Sequence, residues 1–426
     1  MRARLADRLP SSTIAKYYCY QATVSFGFFS PIFTLFLLDR GLDYTAISTL
    51  SMLYAVVTVV GEVPTGYVGD RIGRRNSLLA SSAFMTLSIL GFVVVESFLG
   101  LAVLYVLWAL MMVFKSGTGD AWLYDTLEAE LDGDRFARVR GRGGSVNRAV
   151  TVVAMLAGGV LYSVDHALPF LASGVLNGAG VVVLLTLPEN RQYVGGNAES
   201  DGNDGSDESF TVFDALPVIR RRFSRPPLRS FVAYAALFFG VATVANMYVQ
   251  PVTTRSLGFP EASLGVLYAA FTAVAAVASY CAGPVGDRFG VRGTLLVAPV
   301  LLGLFLLAPL AWPLLAFPAF FAVRGSNALL APLVSQYVND RVESVGRATV
   351  LSAASMAYAL AKLPFYLLAG TVADAISPLV AVGVLGAALV VGVAAVRVVS
   401  SSFGASGADV GDDTAGDAPG EDAASR

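Results

Sequence analysis

Twelve stretches of about twenty mostly apolar residues leave this chain little choice of solvent. They fall at 13–38, 45–68, 77–96, 98–122, 146–164, 167–187, 230–251, 262–284, 293–310, 312–334, 348–370 and 376–398. A helix of that length crosses the hydrocarbon core of a bilayer, and it satisfies its own backbone there. The runs lack the alternation of a membrane barrel strand, so helices are expected throughout. Composition agrees: 55% of the 426 residues are hydrophobic and only 14% are charged, with mean hydropathy +0.66. A soluble domain carries about 25% charged residues.

Arginine and lysine set the expected orientation. Arg71, Arg74, Arg75, Arg135, Arg138, Arg140, Arg142, Arg220, Arg221, Arg222, Arg288, Arg292, Arg341 and Arg347 fall in one set of loops, whereas the alternate loops hold only Arg40 and Arg255. Both termini are therefore expected in the cytoplasm of a plasma-membrane protein, which requires an even helix count. The basic N-terminus precedes a run too long for a cleavable signal core, so that run is read as the first spanning helix.

The domains expected are a six-helix bundle over 1–190, a cytoplasmic central loop over 191–229, a second six-helix bundle over 230–399 and an acidic, disordered tail over 400–426. The central loop divides into a polar linker and an amphipathic stretch from Phe210 to Arg229, read as lying on the inner membrane face.

An internal repeat ties the two bundles together. Gly66-Tyr67-Val68-Gly69-Asp70-Arg71-Ile72-Gly73-Arg74-Arg75 follows the second span, and Gly283-Pro284-Val285-Gly286-Asp287-Arg288-Phe289-Gly290-Val291-Arg292 follows the eighth. The offset of 217 residues also aligns Gly41 with Gly258 and Val57 with Val274. Duplicated halves of this kind characterise secondary transporters. The chemistry of the repeat is legible too. Glycine at 73 supplies the left-handed backbone of a tight reversal, and Asp70 places an anion suited to a helix N-terminus.

The decapeptides resemble the loop signature of the major facilitator superfamily, G-x-x-x-D-R-x-G-R-R. The twelve spans, the duplicated halves and the long central loop match that family over essentially the whole chain. The resemblance implies an all-α membrane protein of two pseudo-symmetric six-helix bundles. It also implies that Gly66, Asp70, Arg71, Gly73, Arg74, Arg75, Gly283, Asp287 and Arg288 act as conformational switch residues. It further implies that the first, fourth, seventh and tenth helices line the cavity. Two positions depart from the pattern of the family's drug/proton antiporters. Val113 stands four residues before Gly117, where those carry arginine, and 154–159 keeps Gly158 and Gly159 without Gly-Pro.

Ionisable residues within spans are costly unless paired, so each is a functional candidate. Glu62, Lys115, Asp120 and Arg148 are expected to form a network on the inner side of the first half, either coupling protons or ordering the helices. Arg324 and Lys362 lack an evident carboxylate partner at their depth, which points either to an anionic solute or to snorkelling. Gln21 and Asn246 join them as candidate solute contacts.

Net charge of −2 gives no footprint for nucleic acid. One histidine, His166, and two distant cysteines leave no expected metal cluster, and there is no phosphate loop. No enzyme, cofactor or metal is expected. The expected function is secondary active transport of a small organic solute by a monomer, as proton-coupled efflux. Uptake by a symporter or uniporter, and a non-transporting receptor or scaffold, are the alternatives.

Overall fold

The computed structural model describes residues 12–130, 135–189, 228–339 and 347–405. The expected linker, amphipathic stretch and most of the acidic tail lie outside the described residues. Among those described there are helices and turns and no strand.

In the first half the helices are α1 (Ser12–Thr23), α2 (Phe33–Asp39), α3 (Tyr44–Ile72), α4 (Arg74–Val94), α5 (Phe98–Lys115), α6 (Thr118–Glu130), α7 (Phe136–Val164) and α8 (Leu168–Leu185). In the second they are α9 (Leu228–Ala245), α10 (Ser263–Tyr280), α11 (Ala282–Phe289), α12 (Val291–Leu307), α13 (Ala316–Asn339), α14 (Arg347–Ala361), α15 (Leu363–Ala375) and α16 (Pro378–Ala405). Among the described residues, eleven segments are long and apolar enough to cross a membrane. The twelfth crossing is the pair α1 and α2, which breaks at residues 24–32 instead of running unbroken over 13–38.

The halves share one packing plan. α3 packs on α5 as α10 packs on α13, and α4 packs on α8 as α12 packs on α16. The reversals match as well: Gly41 and Gly258 have φ of 86° and 72°, and Gly73 and Gly290 have φ of 86° and 68°. Both pairs are 217 residues apart, so the sequence repeat is a repeat of backbone geometry. Leu87, Val175, Val182, Val266, Leu304 and Val391 are exposed on the outside, as lipid-facing side chains should be.

The two halves meet along α3–α15 and α7–α10. Small residues allow the close approach. A Cβ on Gly265 would sit 2.4 Å from Met155 O, and one on Gly370 would sit 2.7 Å from Ser48 Oγ.

The break in the first crossing has a physical cause. Residues 24–32 contain Gly27 and Pro31, and the chain passes so near α7 that a Cβ on Gly158 would lie 2.1 Å from Phe28 O. The freed backbone groups find partners on other helices, which is the condition for irregular backbone at membrane depth. Asn147 donates to Gln21 O at 2.9 Å and Val24 O at 3.0 Å, and Asn177 donates to Ser25 O at 3.3 Å. Gln250, from the other half, accepts from Thr34 N at 2.7 Å and Leu35 N at 3.1 Å, and donates to Ser30 O at 2.9 Å.

Other spans bend where the sequence permits. The fourth crossing turns at Ser116–Gly117, with Gly117 at φ 70°, and the eleventh turns at Lys362, just before Pro364. The fifth begins at Phe136 and not at 146, because the polar, glycine-containing stretch before Asn147 is helical too. Arg148 is therefore more than three turns into α7.

Candidate functional site

A cavity of about 540 Å³ lies between the halves, within the size range of small-molecule sites. The first half supplies a wall of aromatic rings, Phe26, Phe29, Phe33, Tyr54, Tyr105 and Trp108. The rings brace each other: Trp108 meets Phe29 edge-on at 5.7 Å and Phe33 at 5.1 Å. The second half supplies a more polar wall, including Asn246, Gln250, Thr272 and Arg324. Among the described residues no acidic one lines the cavity.

One end of the molecule, carrying the Gly41 and Gly258 turns, is tied shut across the halves. Beyond the bonds of Gln250, Asp374 caps α3 from the other half. It accepts from Tyr44 N and Thr45 N, each at 2.8 Å, and from Thr45 Oγ1 at 2.6 Å. Arg255 pairs with Asp39 at 2.7 Å. Tyr162 donates to the other oxygen of Asp39 at 2.5 Å and stacks on His166 with centroids 4.3 Å apart. Asp39, His166 and Glu261 bring ligand-type atoms within 4.8 Å of one another. The single histidine thus stands in a cluster that the sequence did not suggest. Both Asp39 oxygens are occupied by Arg255 and Tyr162, so the cluster acts as an ionic tie between the halves.

The opposite end carries Gly73 and Gly290. Glu62 lies eleven residues beyond cavity-lining Ser51, about 16 Å along α3 and on nearly the same face. Arg148 lies seven residues before Met155 on the inward face of α7. Both Glu62 and Arg148 are exposed, whereas Ser48 and Gly159 at the tied end pack against the second half.

The predicted network divides. Asp120 forms a two-point pair with Arg140, both bonds at 2.7 Å, and not with Arg148. The turn at Gly117 swings α6, with Asp120 on it, toward the start of α7. Lys115 lies 5.8 Å from the Phe26 ring. Of the predicted solute contacts, Asn246 and Arg324 line the cavity. Gln21 does not. It sits below the helix break and donates to Tyr17 Oη at 2.8 Å. Lys362 stands one turn from cavity-lining Tyr366 without lining the cavity itself.

In the repeated decapeptide, Gly66 and Asp70 belong to the helical backbone of α3, and the Asp70 side chain lies outside the described residues. Arg71 is exposed. Arg74 pairs with Asp125 and donates to Ala121 O at 2.9 Å. Arg75 pairs with Glu189 at 2.5 Å and donates to Leu187 O at 3.0 Å. These four contacts stay inside the first half. In the second copy, Gly283, Asp287 and Arg288 are exposed, and Arg288 lies 5.8 Å from the Phe289 ring.

Sequence reasoning missed Gln250 as the clasp of the first crossing, and it missed Asp374 and Asp39 as ties. Each acts on residues far away in sequence, so no local pattern announces it.

The sequence is matched by the model of the Major Facilitator Superfamily over residues 21–351 and again over 230–408. An uncharacterized MFS-type transporter, YxaM, of Bacillus subtilis (strain 168) is 26% identical over 258 residues, covering 59% of this chain and 61% of that protein. The chain thus matches about three fifths of that relative's length. The class G tetracycline resistance protein of Vibrio anguillarum is 26% identical over 344 residues, covering 76% and 81%. Among solved structures, the nucleoside transporter NupG superposes with TM-score 0.71 at 12% identity, covering 91% of this chain and 96% of that one. A D-xylose–proton symporter gives TM-score 0.61 at 12% identity, covering 90% and 95%. A duplicated helical fold, a cavity shared by its halves and a family match that runs through both place the chain in the Major Facilitator Superfamily.

Proposed function

We propose that this transporter exports a small organic solute from the cell by alternating access, in exchange for protons. The observation that carries the reading is the central cavity, walled by both halves and tied shut across them at one end. Rocking of the halves about that cavity would present it to each side in turn. The relative named for tetracycline resistance supports outward movement of a drug-sized compound. On the arginine bias of the loops the tied end faces away from the cytoplasm, so in this reading the cavity is closed on its outer side.

Glu62 is the proposed proton carrier, because it is the carboxylate on the cavity-facing stripe of α3. Asp120 is held by Arg140 and serves to order α6 against α7. Lys115 and Arg148 set the charge of the inner vestibule. The repeated decapeptides, with Asp70, Arg71 and Gly73 in one and Asp287 and Arg288 in the other, are the proposed switch between conformations. The protein works as a monomer in the plasma membrane, with both termini inside, and returns its solute chemically unchanged.

Inverted vesicles from expressing cells, energised to an acidic lumen, test this reading. A drug-sized fluorescent solute is expected to accumulate inside, and collapsing the pH gradient is expected to release it. Accumulation only in right-side-out vesicles would reverse the direction. Accumulation that ignores the pH gradient would remove the proton.

A further inference from the structure

Arg324 is a half-buried cation with no carboxylate partner among the described residues. It lies on α13 and lines the cavity. Its guanidinium lies 5.3 Å from the Tyr268 ring and 5.6 Å from the Phe271 ring, and its polar neighbour there is the neutral Tyr268 hydroxyl. Its Nε is buried and has no hydrogen-bond partner. Among the described residues no carboxylate pairs with it, and none lines the cavity. Two aromatic faces stabilise a guanidinium only modestly, and a charge within the membrane normally finds an opposite charge. Among the described residues the complementary charge is therefore absent. Asn246, also on the cavity wall, has a buried Oδ1 with no donor. Facing both, across the cavity, stands the ring wall of Phe29, Phe33, Tyr54 and Trp108.

We infer that the solute is a monoanion with a flat apolar body, its charged head seated on Arg324 and its body laid against the aromatic wall. One guanidinium matches one singly charged head, since its fork binds a carboxylate by two parallel hydrogen bonds. A doubly charged phosphate ester would leave one charge unmatched, because Lys362 does not reach the cavity. A donor group on the body completes Asn246. The volume of about 540 Å³ limits the body to a few fused or linked rings. This inference rests on the cavity being the transport site.

The test uses the purified full chain in lipid nanodiscs and three probes with one body: 2-naphthoate, 2-naphthylmethanol and 2-naphthylmethylammonium. Binding is read by calorimetry and by thermal shift. Naphthoate is expected to bind at least about tenfold more tightly than the neutral probe, and the ammonium probe is expected not to bind. In Arg324→Gln the carboxylate should lose that advantage and bind like the neutral probe, while Arg324→Lys keeps part of it. Equal binding of the three probes by the wild-type chain overturns the inference. So does an absence of carboxylate binding at millimolar concentration, or unchanged naphthoate affinity in Arg324→Gln. If Arg324→Gln does not fold, the wild-type probe series decides alone. Solute flux without charge preference would sink the inference and leave transport standing. Carboxylate binding without flux would do the reverse.

Discussion

Gln250 shows how much one buried amide can hold. Its two polar atoms meet Ser30 O, Thr34 N, Leu35 N and the Tyr268 hydroxyl. Gln250→Leu keeps the approximate volume and strips every one of these bonds. Orphaned buried backbone groups cost about 1–3 kcal/mol each, so the variant should lose about 3 kcal/mol or more. A fall in melting temperature of the detergent-solubilised protein checks this. Glycine positions offer a sharper contrast. A Cβ on Gly158 would stand 2.1 Å from Phe28 O, whereas one on Gly144 of the same helix meets nothing within 4 Å. Gly158→Val should abolish the monodisperse protein on size-exclusion chromatography. Gly144→Ala should be tolerated and raise stability by up to about 1 kcal/mol, since alanine is the better helix former.

At the scale of elements, α3 begins with an anion borrowed from α15. Asp374→Asn removes the charge but keeps one acceptor, at a cost of about 1 kcal/mol to the tied end. That shifts the balance between conformations about fivefold toward opening there. Spin labels at exposed Leu99 and Trp312, one on each half, should report a larger long-distance population by double electron–electron resonance.

Periodic features of these elements were legible in sequence. The 217-residue offset foretold paired reversals, and Gly41, Gly73, Gly258 and Gly290 adopt them. Helix existence followed from long apolar runs. The break in the first crossing did not, because residues 24–32 remain mostly apolar and the groups that repair it, Asn147, Asn177 and Gln250, come from other helices. Likewise the start of α7 was hidden by its polar composition, which moved Arg148 deeper than expected. Within the site, Asn246 and Arg324 stood out as polar residues in apolar helices. The aromatic wall did not, since a ring on a membrane helix gives no sign of whether it faces lipid or cavity.

For the whole molecule, the ties at one end act on a single rocking equilibrium. Arg255→Gln, which breaks the pair with Asp39, and Asp374→Asn share Tyr44 as a partner, so their effects should add only in part. The double variant is expected to be more open than either single one, by less than the product of the two single shifts in the spin-label populations. A double variant no more open than either single one would mean that the two ties release together. Proton coupling is also read at this scale. Glu62→Gln should abolish solute accumulation driven by a pH gradient and leave downhill exchange intact in the same vesicles.

The broken first crossing carries a consequence for how the far side must open. While that end is shut, the second half supplies the hydrogen-bond partners of Ser30, Thr34 and Leu35 through one side chain. Parting the halves there withdraws the side chain and leaves peptide groups bare at membrane depth, where lipid tails can satisfy none of them. Hydration must therefore arrive as separation occurs, and a dry gap at that gate is ruled out by energy. Deuterium uptake at the amides of residues 34 and 35 should accordingly keep pace with gate opening, so these two backbone protons would serve as a clock for the transport cycle.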